Sequence, residues 1–450
     1  MAHDMSVTAR PRAIRLALSP SQTIIVGFAA VILVGAVLLA LPVASASGRA
    51  TPFLTALFTA TSATCVTGLV VVDTADHYST FGELVILALI QVGGFGYMTS
   101  WALLALLLGW KIGLRERIVL SEAQGLAYTG GIVRFTRRII LGAVAFEAAG
   151  AAVLTARFAA EMPPGRALYY GVFHSVSAFN NAGFDLMGGF RSLTGYVADP
   201  VVNLTVIGLV ILGGLGFTVL FDLRERRVSL HSKTVLVTTG ALLGGAALLI
   251  GLLEHDNPAT LGALPWPARV LATLFHAVTP RTAGFNTLDI ASLTEPTLVV
   301  LAVLMFIGGS PGGTAGGIKT TTFVAPLAVI WSSIQGTPQP VLFGRRLPET
   351  VVNKAVTLAL LAVAFVVTMA IALAISEATP FLPALFETVS AFGTVGLSTG
   401  LTPQLSPLGR VIVIVTIFTG RVGLLTLAFA LTRRLQQPLL RYPEGRIYVG

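Results

Sequence analysis

Eight long apolar stretches run through this 450-residue sequence, and they constrain its fold more than any other feature. A helix that crosses the hydrocarbon core of a membrane needs about 20 apolar residues. Only 11% of the residues are charged, against about 25% in soluble domains, which is too few to cover a water-exposed surface. The sequence therefore predicts an all-α, multi-pass membrane protein with eight spanning helices. These are expected at residues 22–41, 82–109, 139–160, 200–222, 234–254, 297–331 (interrupted), 354–376 and 408–432.

Four shorter apolar segments lie between the predicted spans. They cover residues 52–65, 167–180, 268–280 and 381–393, and each is 13 or 14 residues long. A helix of this length is too short to cross a membrane, but a re-entrant segment is tolerated where protein or water surrounds it. We therefore expect four short helices that enter the membrane and leave on the same side.

The charge distribution predicts the orientation of the chain. Twenty of the 29 Lys and Arg residues fall in the N-terminal segment and in residues 110–138, 223–233, 336–354 and 433–450. Cytoplasmic loops of membrane proteins carry an excess of basic residues. Both termini are therefore expected in the cytoplasm, with the chain in the plasma or inner membrane of the cell and the short segments on the outer side. The single cysteine, Cys65, excludes an intramolecular disulfide.

The sequence also repeats itself four times. A glycine follows each short segment, and a second glycine lies inside the next long stretch. The first glycines are Gly68, Gly183, Gly284 and Gly396, and the second are Gly93, Gly213, Gly308 and Gly420. The predicted unit is a helix, a short pore helix, a glycine loop and a helix, arranged four times around a pseudo-fourfold axis as in potassium channels. The expected boundaries are 1–110, 111–233, 234–338 and 339–450, the last including the C-terminal tail.

Four such units favour a cation-binding site on the axis. A short helix that ends at mid-membrane directs the negative end of its dipole to the centre, and glycine lets the following carbonyl groups turn inward. Potassium filters replace the hydration shell with carbonyls of TVGYG loops, whose first three letters match Thr394-Val395-Gly396. No loop has the second glycine, so we expect a shorter filter that holds fewer ions. The predicted potassium-binding residues are Val66, Thr67, Gly68, Asn181, Ala182, Gly183, Thr282, Ala283, Gly284, Thr394, Val395 and Gly396.

The interruption in the sixth stretch has two interpretations. Residues 308–317 contain six glycines and a proline, so a continuous helix is excluded there, whereas the other three repeats are expected to continue as helices. The segment is either a simple kink or a mobile gate below the filter. The predicted gate residues are Gly309, Ser310, Pro311, Gly312, Gly313, Thr314, Ala315, Gly316, Gly317, Lys319 and Arg421.

Two basic residues accompany this segment at membrane depth. Lys319 is expected either to reach the cytoplasmic interface or to hold the gate through a backbone or acidic partner. Arg421 lies in the last long stretch, where a charge is costly and usually functional. Its side chain either forms a salt bridge with Glu387 or Glu147, or faces the pore and repels cations.

Other polar and small residues are expected to have structural roles. His174, His276 and Glu387 occupy equivalent positions in three short segments and are interpreted as satisfied structural groups. The glycine pairs at 93–94 and 213–214 are interpreted as close-packing positions rather than ion ligands. Four aspartates beyond the filter either concentrate cations at the outer mouth or are solvated loop charges; these are Asp73, Asp76, Asp185 and Asp289.

These motifs resemble the Trk/Ktr/HKT superfamily of potassium transporters, in particular the bacterial Ktr-type membrane subunit. The most specific motifs are Cys65-Val66-Thr67-Gly68-Leu69, Gln91-Val92-Gly93-Gly94-Phe95-Gly96, the stretch GGSPGGTAGGIKTTT from Gly308 to Thr322, and Thr419-Gly420-Arg421-Val422-Gly423. The resemblance implies potassium uptake, activated by sodium in several members. It also implies a membrane-embedded homodimer on a cytoplasmic ring of KtrA- or TrkA-like nucleotide-binding regulatory subunits. No organic cofactor and no nucleic acid are expected.

Other function classes fit the sequence less well. A sodium-coupled solute symporter is built from inverted repeats, whereas the four predicted units share one topology. An intramembrane enzyme needs a cluster of ionisable groups, and Glu147, Glu387, Lys319 and Arg421 are too scattered to form one. A less selective transporter of monovalent cations remains the alternative within the transporter class.

Overall fold

The computed structural model of the protein describes residues 20–96, 131–226, 228–337 and 339–424, together with residues 99, 102 and 426. The basic residues at the N-terminus and at 111–117, the end of the predicted span 82–109, and the tail lie outside the described residues. The described part is mostly helical. Its helices are α1 Pro20–Ala40, α2 Phe53–Thr64, α3 Thr74–His77, α4 Thr80–Phe95, α5 Ile132–Phe158, α6 Pro164–Phe179, α7 Pro200–Leu215, α8 Phe217–Arg224, α9 Leu230–Leu253, α10 Trp266–Val278, α11 Glu295–Phe306, α12 Thr320–Ile334, α13 Glu349–Glu377, α14 Phe381–Gly393 and α15 Pro407–Val422.

A small hairpin joins α12 to α13. Strand β1, Val341–Leu342, pairs antiparallel with β2, Arg345–Arg346. Phe343 and Gly344 form the two-residue turn, and both have positive φ, as the tight hairpin turn requires. The hairpin therefore closes the connection between two apolar helices.

A short helix lies over each of the four predicted short segments, namely α2, α6, α10 and α14. Each of them begins directly after a proline, which fixes φ and suits a helix start because it lacks the amide hydrogen. One phenylalanine at an equivalent position in each helix is at most 2% exposed; these are Phe58, Phe173, Phe275 and Phe386. The four short helices therefore lie at the centre of the packed structure.

The long helices differ from the prediction. Within the described residues, four helices are long and apolar enough to cross a membrane, at Gln22–Ala40, Ile132–Phe158, Leu230–Leu253 and Glu349–Glu377. Helices α7 and α8 add a fifth span if the pair, bent by 98°, is counted as one. The described helices α4 and α15 have 16 residues each, and α11 has 12. By length and composition alone, the described residues contain four or five such spans, and the predicted count of eight stays a prediction.

Left-handed glycines explain the shorter helices. The expectation that only residues 308–317 interrupt a second helix is wrong, because α4, α7 and α15 also end, at Gly96, Gly216 and Gly423. Their φ values are 77°, 91° and 90°, in a region that no α-helix uses. Glycine occupies this region without steric cost, so it can end a helix inside an apolar stretch.

Polar side chains brace the ends of two long helices against the helices that follow the glycine loops. Glu254 at the end of α9 accepts hydrogen bonds from the backbone N–H and the hydroxyl of Thr294, at 2.9 and 2.7 Å. Glu377 at the end of α13 accepts the same two bonds from Ser406, at 3.0 and 2.7 Å. Each carboxylate satisfies free donors at the start of a helix. It thereby also holds the end of one helix next to the start of another.

Candidate functional site

Each short helix is followed by three residues with an unusual backbone. The first and third residues of every triplet have positive φ, and the third is always glycine. The first residues are Val66, Asn181, Thr282 and Thr394, with φ of 58°, 57°, 66° and 51°; the glycines lie between 70° and 100°. The backbone N–H of the middle residue donates to a carbonyl oxygen of the preceding short helix. Examples are Thr67 N to Ser62 O at 2.7 Å and Val395 N to Ser390 O at 2.8 Å. We call the triplets the filter loops: residues 66–68, 181–183, 282–284 and 394–396.

The four filter loops form a closed ring. A Cβ atom built on each filter glycine would touch the Cα of the glycine in the next loop, in chain order. The distances from the built Cβ to that Cα are 3.1 Å from Gly68 to Gly183, 2.9 Å from Gly183 to Gly284, 3.2 Å from Gly284 to Gly396 and 3.1 Å from Gly396 back to Gly68. Each built Cβ also meets the carbonyl oxygen of the middle residue of the next loop. The backbones approach so closely that side chains are excluded from the ring.

Three threonine hydroxyls in the filter loops have no hydrogen-bond partner among the described residues and can therefore coordinate a bound ion. The Oγ1 atoms of Thr67, Thr282 and Thr394 are buried and form no hydrogen bond with any described residue. A buried hydroxyl without a partner is costly, and an oxygen ligand to a hard cation relieves that cost. Together with the carbonyl groups, these atoms give the ring an all-oxygen donor set, which suits an alkali cation. The predicted potassium-binding residues thus converge in one place.

A cavity of about 280 Å³ lies on the face of the ring where the chain leaves the filter loops. All four filter glycines line it, together with Asp73, Asp185 and Asp289. Burial raises the pKa of the Asp185 carboxyl group above its ordinary value. Asp73 and Asp76 also accept bonds from the backbone of Phe190 and Gly189, at 2.7 and 2.9 Å. The aspartates therefore shape the outer loop as well as giving the cavity negative charge.

The glycine-rich loop, residues 308–317, lies against the opposite face of the ring from this cavity. Thr314 Oγ1 donates to Asn181 Oδ1 at 3.0 Å and also contacts Phe179 O at 3.1 Å. A Cβ atom built on Gly316 would collide with Thr394 Oγ1. Two filter loops therefore touch this loop directly, on the face of the ring where the short helices end.

Two basic side chains hold the glycine-rich loop through its carbonyl oxygens. Lys319 Nζ donates to Ala315 O at 2.6 Å, so it takes a backbone partner as one of the two interpretations expects. Arg421 Nη1 donates to Thr314 O at 2.6 Å, and its Nη2 donates to Gly93 O at the end of α4. Arg421 therefore connects three elements: α15, α4 and the glycine-rich loop.

Neither predicted salt bridge of Arg421 forms. Glu147 accepts hydrogen bonds from Gln91 Nε2 and Asn180 Nδ2, at 3.0 and 2.8 Å. Glu387 accepts bonds from Ser398 Oγ at 2.5 Å and Thr402 Oγ1 at 2.6 Å. Both carboxylates are satisfied by neutral donors, so carbonyl groups remain as the partners of Arg421.

Two of the three equivalent polar residues, His174 and Glu387, form structural hydrogen bonds. His174 Nε2 accepts from Leu186 N at 3.3 Å, and Glu387 accepts from Thr399 N at 2.9 Å, twelve residues along the chain in both cases. These side chains tie the chain beyond a filter loop back to its short helix. His276, at the third equivalent position, is fully buried, and its Nε2 has no partner among the described residues.

The second glycines are packing positions. A Cβ atom built on Gly93, Gly213 or Gly420 would collide with a carbonyl oxygen near the end of the neighbouring short helix. In each case the absence of a side chain lets a long helix touch a short one. The apolar pattern did not predict the breaks at Gly96, Gly216 and Gly423, although each lies three residues after a second glycine.

The chain is similar to cation transport proteins over nearly its whole length. The family described as "TrkH: Cation transport protein" matches residues 8–440. The Ktr system potassium uptake protein B of Bacillus subtilis is 43% identical over 436 residues, covering 96% of this chain and 97% of that protein. The potassium/sodium uptake protein NtpJ of Enterococcus hirae is 38% identical, covering 99% of this chain and 100% of that protein.

A solved structure shares the fold. The potassium transporter TrkH from Vibrio parahaemolyticus superposes with a TM-score of 0.73, covering 94% of this chain and 87% of that one, at 18% sequence identity. The resemblance inferred from the sequence motifs is thereby confirmed. On the family match and the identities to its relatives, this chain belongs to the TrkH family of cation transport proteins.

Proposed function

We propose that this chain is the ion-translocating membrane subunit of a Ktr- or Trk-type potassium uptake system. The observation that carries the proposal is the closed ring of four filter loops, with its close glycine contacts and its free threonine oxygens. A dehydrated cation needs several oxygen ligands to replace its water, and four loops supply them. Relatives that are named as Ktr potassium uptake proteins support this function.

The finer architecture is part of the proposal. Four units, at 1–110, 111–233, 234–338 and 339–450, surround one pore in the cell membrane, with both termini in the cytoplasm. The filter loops bind potassium, and the glycine-rich loop with Lys319 and Arg421 forms the gate. The chain forms a homodimer on a ring of nucleotide-binding regulatory subunits, in keeping with relatives that are named as parts of a Ktr system.

Uptake of potassium, rubidium and sodium by proteoliposomes that contain only this protein tests the proposal. We expect potassium and rubidium to enter without any added solute, and sodium to enter more slowly. The same comparison in a host that lacks its own potassium uptake systems provides a cellular control. A requirement for an organic co-substrate would contradict the proposal and favour a symporter.

Sodium transport is the second candidate. None of the filter loops has the second glycine of TVGYG, and one relative is named as a potassium/sodium uptake protein. A shorter filter offers fewer successive sites at which the two ions are discriminated. Equal uptake of sodium and potassium in the proteoliposome comparison would establish this alternative.

Replacing Arg421 by alanine is expected to increase potassium flux. The change removes a positive charge from a low-dielectric region and two hydrogen bonds, one of which holds the glycine-rich loop. We expect a rise of about tenfold, which corresponds to about 1.4 kcal/mol. Flux is measured as rubidium uptake into proteoliposomes at equal protein density.

Arg410→Ala is the matched control for Arg421→Ala. Arg410 lies on the same helix, α15, but bonds to Leu405 O and Thr55 Oγ1, at 3.0 and 3.2 Å. The Arg410→Ala substitution also removes one positive charge, but it removes no contact with the glycine-rich loop. The flux of this variant should therefore stay near that of the wild type. Wild-type flux in a well-folded Arg421→Ala protein would show that this arginine does not restrain the loop.

A further inference from the structure

The break at Gly216 differs from the two breaks that share its backbone conformation. Gly96, Gly216 and Gly423 have ψ values of 139°, 138° and 135°, with similar φ. At the other two breaks, the glycine N–H bonds back into its own helix: Gly96 N to Gly93 O at 3.1 Å and Gly423 N to Thr419 O at 2.9 Å. At Gly216, residues of the glycine-rich loop form hydrogen bonds with the backbone carbonyl and amide groups that the break leaves without partners in the helix.

Three backbone hydrogen bonds join the break to the loop. Thr314 N donates to Gly213 O at 3.1 Å, and Ser310 N donates to Gly214 O at 3.0 Å. In the other direction, Phe217 N donates to Gly312 O at 3.1 Å. The last carbonyls of α7 and the first amide of α8 are thus satisfied by the loop, as an interruption at membrane depth requires.

The same groups would be used differently in a straight helix. In an α-helix, each N–H donates to the carbonyl four residues earlier, so Phe217 N would bond to Gly213 O. Phe217 has one amide hydrogen, which it now donates to Gly312 O, so the two arrangements exclude each other. Straightening α7 and α8 across Gly216 would therefore detach the loop, and detaching the loop would leave three backbone groups that the straight helix can use.

We propose that the bend at Gly216 is the positioning element that keeps the glycine-rich loop across the pore, and that straightening of α7–α8 releases it. The inference rests on the proposed function, in which this loop obstructs potassium. It assigns a role to α8, Phe217–Arg224, which continues from the break to the polar end where Asp222 bonds to Ser229 and Ser232, both at 2.6 Å. A movement of that end is transmitted to the loop without passing through the filter.

Gly216→Ala tests the role of the bend. Alanine is strained at a φ of 91°, and its Cβ would collide with Pro311 O in the loop. Both effects favour the straight, loop-detached arrangement. We expect potassium flux without any partner to rise about fivefold to thirtyfold, the range that follows from losing one or two net hydrogen bonds.

Gly423→Ala and Gly96→Ala are the matched controls. They introduce the same backbone strain, but the nearest described atom to a Cβ on Gly423 is Thr426 Oγ1 at 3.9 Å, and no described atom lies within 4 Å of one on Gly96. If the loop contact matters, their effect on flux is smaller than that of Gly216→Ala. Equal increases in all three variants, or no increase in Gly216→Ala, would overturn the inference.

A reversible crosslink gives a second readout. A Cβ built on Gly312 lies 3.9 Å from Thr218 Oγ1, the position near which the sulfur of a cysteine at 218 would lie, so the two side chains are neighbours. In a protein with Thr218→Cys and Gly312→Cys, oxidation should form the disulfide, lower the flux and let a reductant restore it, whereas each single variant should not respond. The native Cys65 is fully buried and does not compete.

The crosslink also separates the inference from the proposed function. Wild-type protein that takes up no potassium would contradict the proposed function, whatever the crosslink does. Normal wild-type uptake with an efficient disulfide that leaves flux unchanged would contradict the role of the bend alone. Absence of the disulfide in assembled protein would contradict the contact between α8 and the loop.

Discussion

Deleting residues 310–315 is expected to produce a protein that conducts potassium much faster than the wild type. The excision removes the part of the glycine-rich loop that lies under the ring, including Thr314, whose carbonyl and hydroxyl groups bind Arg421 and Asn181. The structure indicates how the chain recloses, because Gly309 N already donates to Gly316 O at 3.0 Å. The two ends of the deletion are thus adjacent, and α11 and α12 keep their positions.

The expected size of this effect follows from the bonds that are removed. Several hydrogen bonds hold the loop, and each contributes about 1 kcal/mol net, so flux should rise by more than about tenfold. Under the proposed function, flux should also depend less on a regulatory subunit, since the element that such a subunit would move is gone. The preference for potassium over sodium serves as the internal control, because the filter loops are unchanged. A folded, membrane-inserted protein without any flux would show that the loop belongs to the conduction scaffold.

The short helices were predictable because two local signals agree. Each apolar segment is too short to span, and a proline stands directly before each helix start in the structure. The predicted segment 381–393 coincides with Phe381–Gly393, and 52–65 with Phe53–Thr64, to within one residue at each end. The loop after each helix was also predictable, because its glycine marks a position where the backbone can adopt positive φ without steric cost.

The breaks in α4, α7 and α15 were not predictable from the apolar pattern. A glycine inside an apolar stretch is tolerated in a helix and is common where helices pack closely, as Gly93, Gly213 and Gly420 do. Whether the chain breaks three residues later depends on partners elsewhere in the sequence. For Gly216, those partners are Pro311 and Gly312, which lie nearly one hundred residues away along the chain.

The partners of Arg421 were hidden for a related reason. A charged side chain at membrane depth suggests an acidic partner, and Glu147 and Glu387 were the available carboxylates. In the structure, hydroxyl, amide and backbone N–H donors already satisfy both. Arg421 instead binds carbonyl oxygens, which every residue has and no sequence pattern marks. Thr314 O is available because the loop 308–317 is not helical, and Gly93 O, which also accepts from Gly96 N, is available because α4 ends at Gly96.

Replacing Gly68 by serine is expected to reduce the preference for potassium over sodium. Gly68 has a φ of 87°, and a Cβ built on it lies 2.5 Å from the carbonyl oxygen of Ala182 in the next filter loop. That oxygen belongs to the backbone of the ring, so no flexible side chain can move aside. The serine must displace either its own loop or the second one, and one part of the oxygen ring then loses its position.

The matched control for Gly68→Ser is Gly48→Ser. Gly48 lies outside the ring with a φ of 68°, and a Cβ there meets no described atom within 4 Å, so its serine carries similar backbone strain without the collision. We expect the ratio of potassium to sodium uptake to fall by about tenfold in Gly68→Ser, equivalent to about 1.4 kcal/mol of lost discrimination, and to stay unchanged in Gly48→Ser. Both ratios are measured in proteoliposomes with the two ions in competition. Because discrimination depends on oxygen positions whereas total flux also depends on the gate, an unchanged ratio in folded Gly68→Ser protein would place the selective site elsewhere in the pore.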